Sequence, residues 1–108
     1  MKDLEFTRLR PFFVALGNKD RFAIMRLLAS GPKTVTEIYE TLDFKQTKVS
    51  NDLKRLRECG YVQIEKRGNE RLYSIQPAML ELLTAITAQV QELTTVCEDC
   101  APNQEEKS

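Results

Sequence analysis

Chemistry in this chain has to come from a short inventory. It holds three cysteines, Cys59, Cys97 and Cys100, and no histidine. Without imidazole it lacks both the commonest general acid–base and the commonest metal ligand. Ser–His and Cys–His nucleophilic schemes are excluded, as is any zinc site built from imidazoles. Paired carboxylates could still hydrolyse a substrate, but the acids are scattered among bases, so no enzyme is expected. Soft thiolates select soft ions, and three of them without nitrogen suit a trigonal, thiophilic metal or metalloid ion better than tetrahedral zinc. Cys97 and Cys100 form a C-x2-C, which alone is half of a zinc site. The same thiols could instead undergo redox or persulfide chemistry. Packing competes for two of them. Cys59 falls at the edge of an apolar helix face, where a small residue fills well, and Cys97 follows Leu93 by four. Cys100, beside Glu98 and Asp99, has no packing role to explain it.

A second group of residues can hydrogen-bond rather than react. On a helix of 100° steps, Val49, Leu53 and Leu56 fall together, and Thr47, Ser50, Asn51 and Lys54 form the opposite stripe. Each member of that stripe can donate a hydrogen bond and none is acidic. Amides and hydroxyls suit base edges, and lysine suits phosphate or guanine, so this is a composition fit for a major groove. Gln46 joins it, because recognition helices enter the groove by their N-terminal end. Taken alone, such a stripe also reads as a solvated helix face.

The elements around the stripe decide between these readings. A chain of 108 residues is one domain by length, with a core thin enough to favour oligomerisation. Apolar spacing predicts a first helix through Phe6, Leu9, Phe13 and Leu16, kinked or restarted at Pro11. A second helix is expected over 21–30, capped by Asn18 or Asp20, and a third carries Ile38 and Leu42 behind a Thr36 cap. The turn Asp43-Phe44-Lys45 leads into a helix from Gln46 to Cys59, a helix-turn-helix by length and spacing. The period then falls to two, which predicts a β-hairpin with a basic tip from Lys66 to Arg71. Pro77 suits the first turn of a last helix, where Met79, Leu83, Ile86, Val90 and Leu93 make a seam for another helix. The chain is neutral overall, with 16 basic and 16 acidic residues, but it is polarised. From Lys45 to Arg71 eight bases face four acids, whereas from Glu81 onward six acids face one base. Local charge governs electrostatic binding, and here it favours DNA at the motif.

The run "ALGNKDRFAIMRLLASGPKTVTEIYETLDFKQTKVSNDLKRLRECGYVQIEKRGNERLYSI", from Ala15 to Ile75, resembles the ArsR/SmtB family of winged helix-turn-helix repressors. The resemblance implies a mainly α fold with a small β-hairpin wing (α+β), dimerising through its first and last helices. It implies a homodimer on an imperfect operator palindrome in double-stranded DNA, released by a metal ion or other inducer. It places Gln46, Thr47, Ser50 and Asn51 at base-reading positions, Lys48 and Lys54 toward phosphate, and Arg67 and Arg71 in the wing. The chain also departs from the family. Lys45 stands where members often have a Ser or Thr cap, and Asp52 replaces a frequent histidine, adding an acid beside the DNA-facing stripe. The His/Asp site of the last helix has no ligands here, and Ile38-Tyr39-Glu40 occupies the region of the C-x-C site. Some cadmium, lead and arsenic sensors of the family combine a thiolate at the recognition-helix end with C-terminal ones across the dimer. Cys59, Cys97 and Cys100 match that arrangement as a metal site, with arsenite, antimonite or a soft metal ion as inducer and no cofactor required for DNA binding.

The sequence therefore predicts a winged-helix domain over 1–100, with dimerisation helices at both ends, and a flexible acidic tail over 101–108. A repressor that senses redox state or persulfide through the same cysteines, or a winged-helix protein-interaction module without an inducer, are the competing functions. No apolar run is long enough to span a membrane, and the first ten residues lack the apolar core of a signal peptide, so no membrane partner is expected and the compartment expected is the cytoplasm.

Overall fold

The computed structural model describes residues 3–94, which form five helices and one hairpin. Their order is α1 (Asp3–Leu16), α2 (Lys19–Leu28), α3 (Val35–Leu42), α4 (Gln46–Glu58), β1 (Val62–Arg67), β2 (Glu70–Ile75) and α5 (Pro77–Thr94). Two compact units divide at Gln76–Pro77. The first contains the helix-turn-helix and the wing; the second is α5.

α1 runs unbroken through Pro11, so no restart occurs there. The Asn18 side chain caps α2 by accepting from Arg21 N at 2.9 Å. α2 ends at Leu28, two residues short of the expected Ser30. The cap of α3 is Thr34, not Thr36. Thr34 Oγ1 accepts from Glu37 N at 3.1 Å, and Glu37 Oε1 accepts from Thr34 N at 2.8 Å, a reciprocal capping box. Thr36 cannot form that box, since Tyr39 stands three residues after it. At the other end Asp43 adopts φ 58°, and its N–H donates to the Tyr39 carbonyl, which reverses the chain within three residues and starts α4. Lys45, the N-cap of α4, supplies no side-chain cap.

Ile24, Met25 and Leu28 of α2, Ile38 of α3, and Val49, Leu53 and Leu56 of α4 are buried together with Val62 of the wing. Burying one such side chain stabilises a fold by roughly 1.5–3 kcal/mol. This cluster is what fixes the angle of α4. The hairpin pairs Val62 with Ile75 through Arg67 with Glu70, closed by Gly68-Asn69. Gly68 takes φ 61° and Asn69 has no positive φ, the φ pattern of a type II′ turn. Lys33 and Tyr73 exchange both backbone hydrogen bonds, at 2.9 and 2.7 Å, and so tie the α2–α3 link to the edge of the wing. Within α5, Met79 and Leu83 are buried, Ile86 is half-buried, and Leu82, Val90 and Leu93 are exposed. The expected five-residue seam is thereby shortened, because a side chain already buried has no apolar area left for a partner. No helix among the described residues is long and apolar enough to cross a membrane.

Candidate nucleic-acid interface

The stripe on α4 faces solvent as the helical wheel requires. Gln46, Thr47, Ser50, Asn51 and Lys54 are all exposed, while Val49, Leu53 and Leu56 on the other side are buried. No acidic side chain interrupts the stripe between Gln46 and Lys54. Asp52 belongs to the buried side of the helix, with 8% of its surface accessible, and not to the DNA-facing edge expected from sequence. It lies about 60° from Val49 around the helix axis, close enough to be drawn into the core.

A buried carboxylate needs partners. Asp52 has two: Arg21 Nη1 of α2 at 3.9 Å and Lys48 Nζ, one helical turn back, at 3.1 Å. Lys48 is also 3.2 Å from Asp20. Its ammonium is held above the usual lysine value by the hydrogen bond it donates to Asp52 first and by that to Asp20 second. Lys48 therefore flanks the stripe and clamps α4 to α2, and a phosphate would have to compete with two carboxylates for it. Sequence reasoning missed this cluster. Its one signal was the i, i+4 spacing of Lys48 and Asp52.

The wing divides its two arginines. Side chains alternate along a strand, and the register pairs Lys66 with Arg71 and Arg67 with Glu70. Arg67 and Arg71 therefore point to opposite faces of the hairpin. Arg71 shares an open groove of about 550 Å³ with Lys66 and with Arg57 from the end of α4. Like charges directly opposite across strands are destabilising, and an anion between them relieves the cost. Arg67 sits on the other face, in a cavity it shares with Thr34, Glu37 and Glu70. Glu65 Oε1 lies 3.7 Å from Arg67 Nη2 and offsets part of its charge. Arg57 and Lys66 thus join Arg71 as a basic cluster. The sequence counted both among the bases of this segment, Lys66 in the hairpin tip, but assigned neither a DNA contact.

Of the three thiols, only Cys59 is within the described residues; it is free, half-buried, and forms the C-cap of α4. Burial pushes the Tyr61 phenol up from its ordinary value, and Cys59 beside it adds to the shift. Cys97 and Cys100 lie outside the described residues. Among the described residues no cluster of three metal-ligating side chains occurs.

Comparison with known proteins gives the same architecture. A sequence model for "Bacterial regulatory protein, arsR family" matches residues 18–63, from the cap of α2 into the wing. Across 73 residues, 67% of this chain, the protein is 32% identical to a probable mercury resistance operon repressor of Streptomyces lividans. It spans 58% of that relative's own length. The crystal structure of the AntR antimony-specific transcriptional repressor superposes with a TM-score of 0.71 at 27% identity, covering 87% of this chain and 86% of that one. A homodimeric winged helix-turn-helix DNA-binding domain from Mycobacterium bovis superposes at 0.76 with 24% identity, over 85% and 89% of the two chains, and shares the fold. Over residues 18–63, from the cap of α2 into the first strand of the wing, the chain thus matches the ArsR family of bacterial regulatory proteins, and its fold is the winged helix-turn-helix of that family's solved domains.

Proposed function

We propose that the protein is a homodimeric, DNA-binding transcriptional repressor that holds an operator palindrome and is released by a thiol-reactive inducer. The observation that carries the DNA reading is the exposed, acid-free donor stripe of α4, fixed in direction by the buried Val49, Leu53 and Leu56. Gln46, Thr47, Ser50 and Asn51 would read base edges; Lys54 and Lys48, the latter after leaving its carboxylates, would meet phosphate with Arg67 and Arg71. The family's regulatory role supports the expectation that the chain is no enzyme. Dimerisation through the first and last helices is supported by exposed Phe6, Leu9, Phe13 and Val14 on α1 and by Leu82, Val90 and Leu93 on α5. Apolar side chains gathered on one helix face in this number mark an interaction surface.

The inducer would bind Cys59, Cys97 and Cys100 as arsenite, antimonite or a soft metal ion, a reading supported by the mercury- and antimony-linked names of the two relatives. The test is a gel shift on DNA upstream of its own gene across a salt series, followed by titration of the reduced complex with arsenite, antimonite, cadmium and a persulfide donor. Steep salt-dependent binding and release by a thiophilic ion are expected. Absence of binding to any promoter fragment at about 50 mM salt would refute the DNA reading. Mass spectrometry separates a bound ion, which adds its mass and leaves with chelator, from a disulfide or persulfide.

A further inference from the structure

Residues of α1, α2 and the C-terminal part of α4 line a partly open cavity of about 220 Å³. Three arginines line it, one from each helix: Arg10, Arg21 and Arg55. Pro11, Val14 and Ala15 supply apolar lining, and Cys59 lines it as well. No carboxylate lines it. Arg21 has only the 3.9 Å approach of Asp52 at Nη1, and its Nε is buried with no hydrogen-bond partner. Among the described residues, Arg10 and Arg55 have no ion-pair partner.

Three arginines lining one hollow repel each other, though solvent screens the exposed Arg10 and Arg55, and the buried Arg21 Nε–H without an acceptor is a standing cost. Both are relieved by the same occupant, an oxyanion, for which the planar guanidinium fork is the matching donor. The volume is several times the roughly 30 Å³ share of one water, which leaves room for a short body behind the charged head. We propose that this cavity binds a small organic oxyanion, its carboxylate or phosphate head held by Arg10, Arg21 and Arg55 and its apolar part on Pro11, Val14 and Ala15. An occupant there touches the helix with the exposed apolar face, α1, and the helix with the donor stripe, α4. The site needs neither DNA nor the C-terminal cysteines, so it stands or falls apart from the proposed repressor function.

The probe is the Nε–H cross-peak of Arg21 in nitrogen-edited NMR of the full chain, titrated with inorganic phosphate, with benzoate, and with chloride at matched ionic strength. A saturable shift with phosphate, benzoate or both, beyond that with chloride, is expected. Phosphate alone would assign a tetrahedral head, and benzoate alone a planar one. Arg10→Gln and Arg55→Gln change exposed side chains, and each should weaken binding by about tenfold through loss of a charge-assisted hydrogen bond. Lys19→Gln, an exposed cation of α2 outside the cavity, should leave it unchanged. A response no larger than that to chloride, or one that survives both arginine substitutions, overturns the proposal.

Discussion

The ammonium of Lys48 lies 3.1 Å from Asp52 and 3.2 Å from Asp20, and both carboxylates hold its proton more tightly than water would. Its folded pKa is raised, so the stabilisation is fully present below the unfolded value of 10.5 and is lost as pH rises through the folded one. Thermal melts of wild type and Lys48→Met should therefore differ near pH 8 and converge in strong alkali. A difference that persists there would remove the ion pairs as its cause. Asp52 is the deeper partner. Asp52→Ala leaves Arg21 and Lys48 without their shared counter-charge. A fully buried broken pair costs about 3–5 kcal/mol, but Lys48 is partly solvated and Arg21 is at 3.9 Å, so about 1–2 kcal/mol is expected in denaturant unfolding. On the opposite side of α4, Asn51→Ala or Gln46→Ala should cost about 1–3 kcal/mol at the cognate site and relax sequence preference. Unchanged site selection in both variants would show that α4 does not read bases.

Elements carry the next level of consequence. The Thr34–Glu37 box satisfies two amides at the start of α3, so Thr34→Ala should destabilise the protein by about 1 kcal/mol, and Thr36→Ala by much less. Equal losses at the two threonines in urea unfolding would contradict the capping box. In the wing, the two arginines should separate. Arg71 faces Lys66 and Arg57 without an acid, so Arg71→Ala should lower the slope of log affinity against log salt by about one. Arg67 already has Glu65 at 3.7 Å, so Arg67→Ala should lower it by less. Filter binding from low to moderate salt distinguishes them.

At the scale of the whole molecule, exposed apolar side chains on α1 and α5 are the surface left to be covered. With Met79 and Leu83 already buried, the proposed dimer contact on α5 would fall to Ile86, Val90 and Leu93 with Leu82. Ile86→Glu with Val90→Glu should give monomers in analytical ultracentrifugation and abolish tight operator binding, since each half-site alone is weakly held. A wild-type monomer at micromolar concentration would refute dimerisation. The inducer reading also belongs here, because Cys59 lies far in sequence from the Cys97–Cys100 pair. Replacement of Cys59, Cys97 and Cys100 by serine should preserve DNA binding and remove release by thiophilic ions. A variant that still responded as wild type would return all three cysteines to packing and tail.

Element types and the donor stripe were legible in the sequence because both rest on local periodicity: 3.6 through α4, two through the hairpin, and a three-residue turn between α3 and α4. The family resemblance rested on the same run of residues, 15–75. Three features were decided only by the fold. Asp52 reads as an acid beside the stripe until core packing draws it inward and supplies Arg21 from another helix. Arg67 and Arg71 read as one basic tip until strand register sends them to opposite faces, because side-chain direction alternates with every residue. The cavity of Arg10, Arg21 and Arg55 left no trace in spacing, since its residues come from three helices whose meeting point is set by buried area and not by any local pattern.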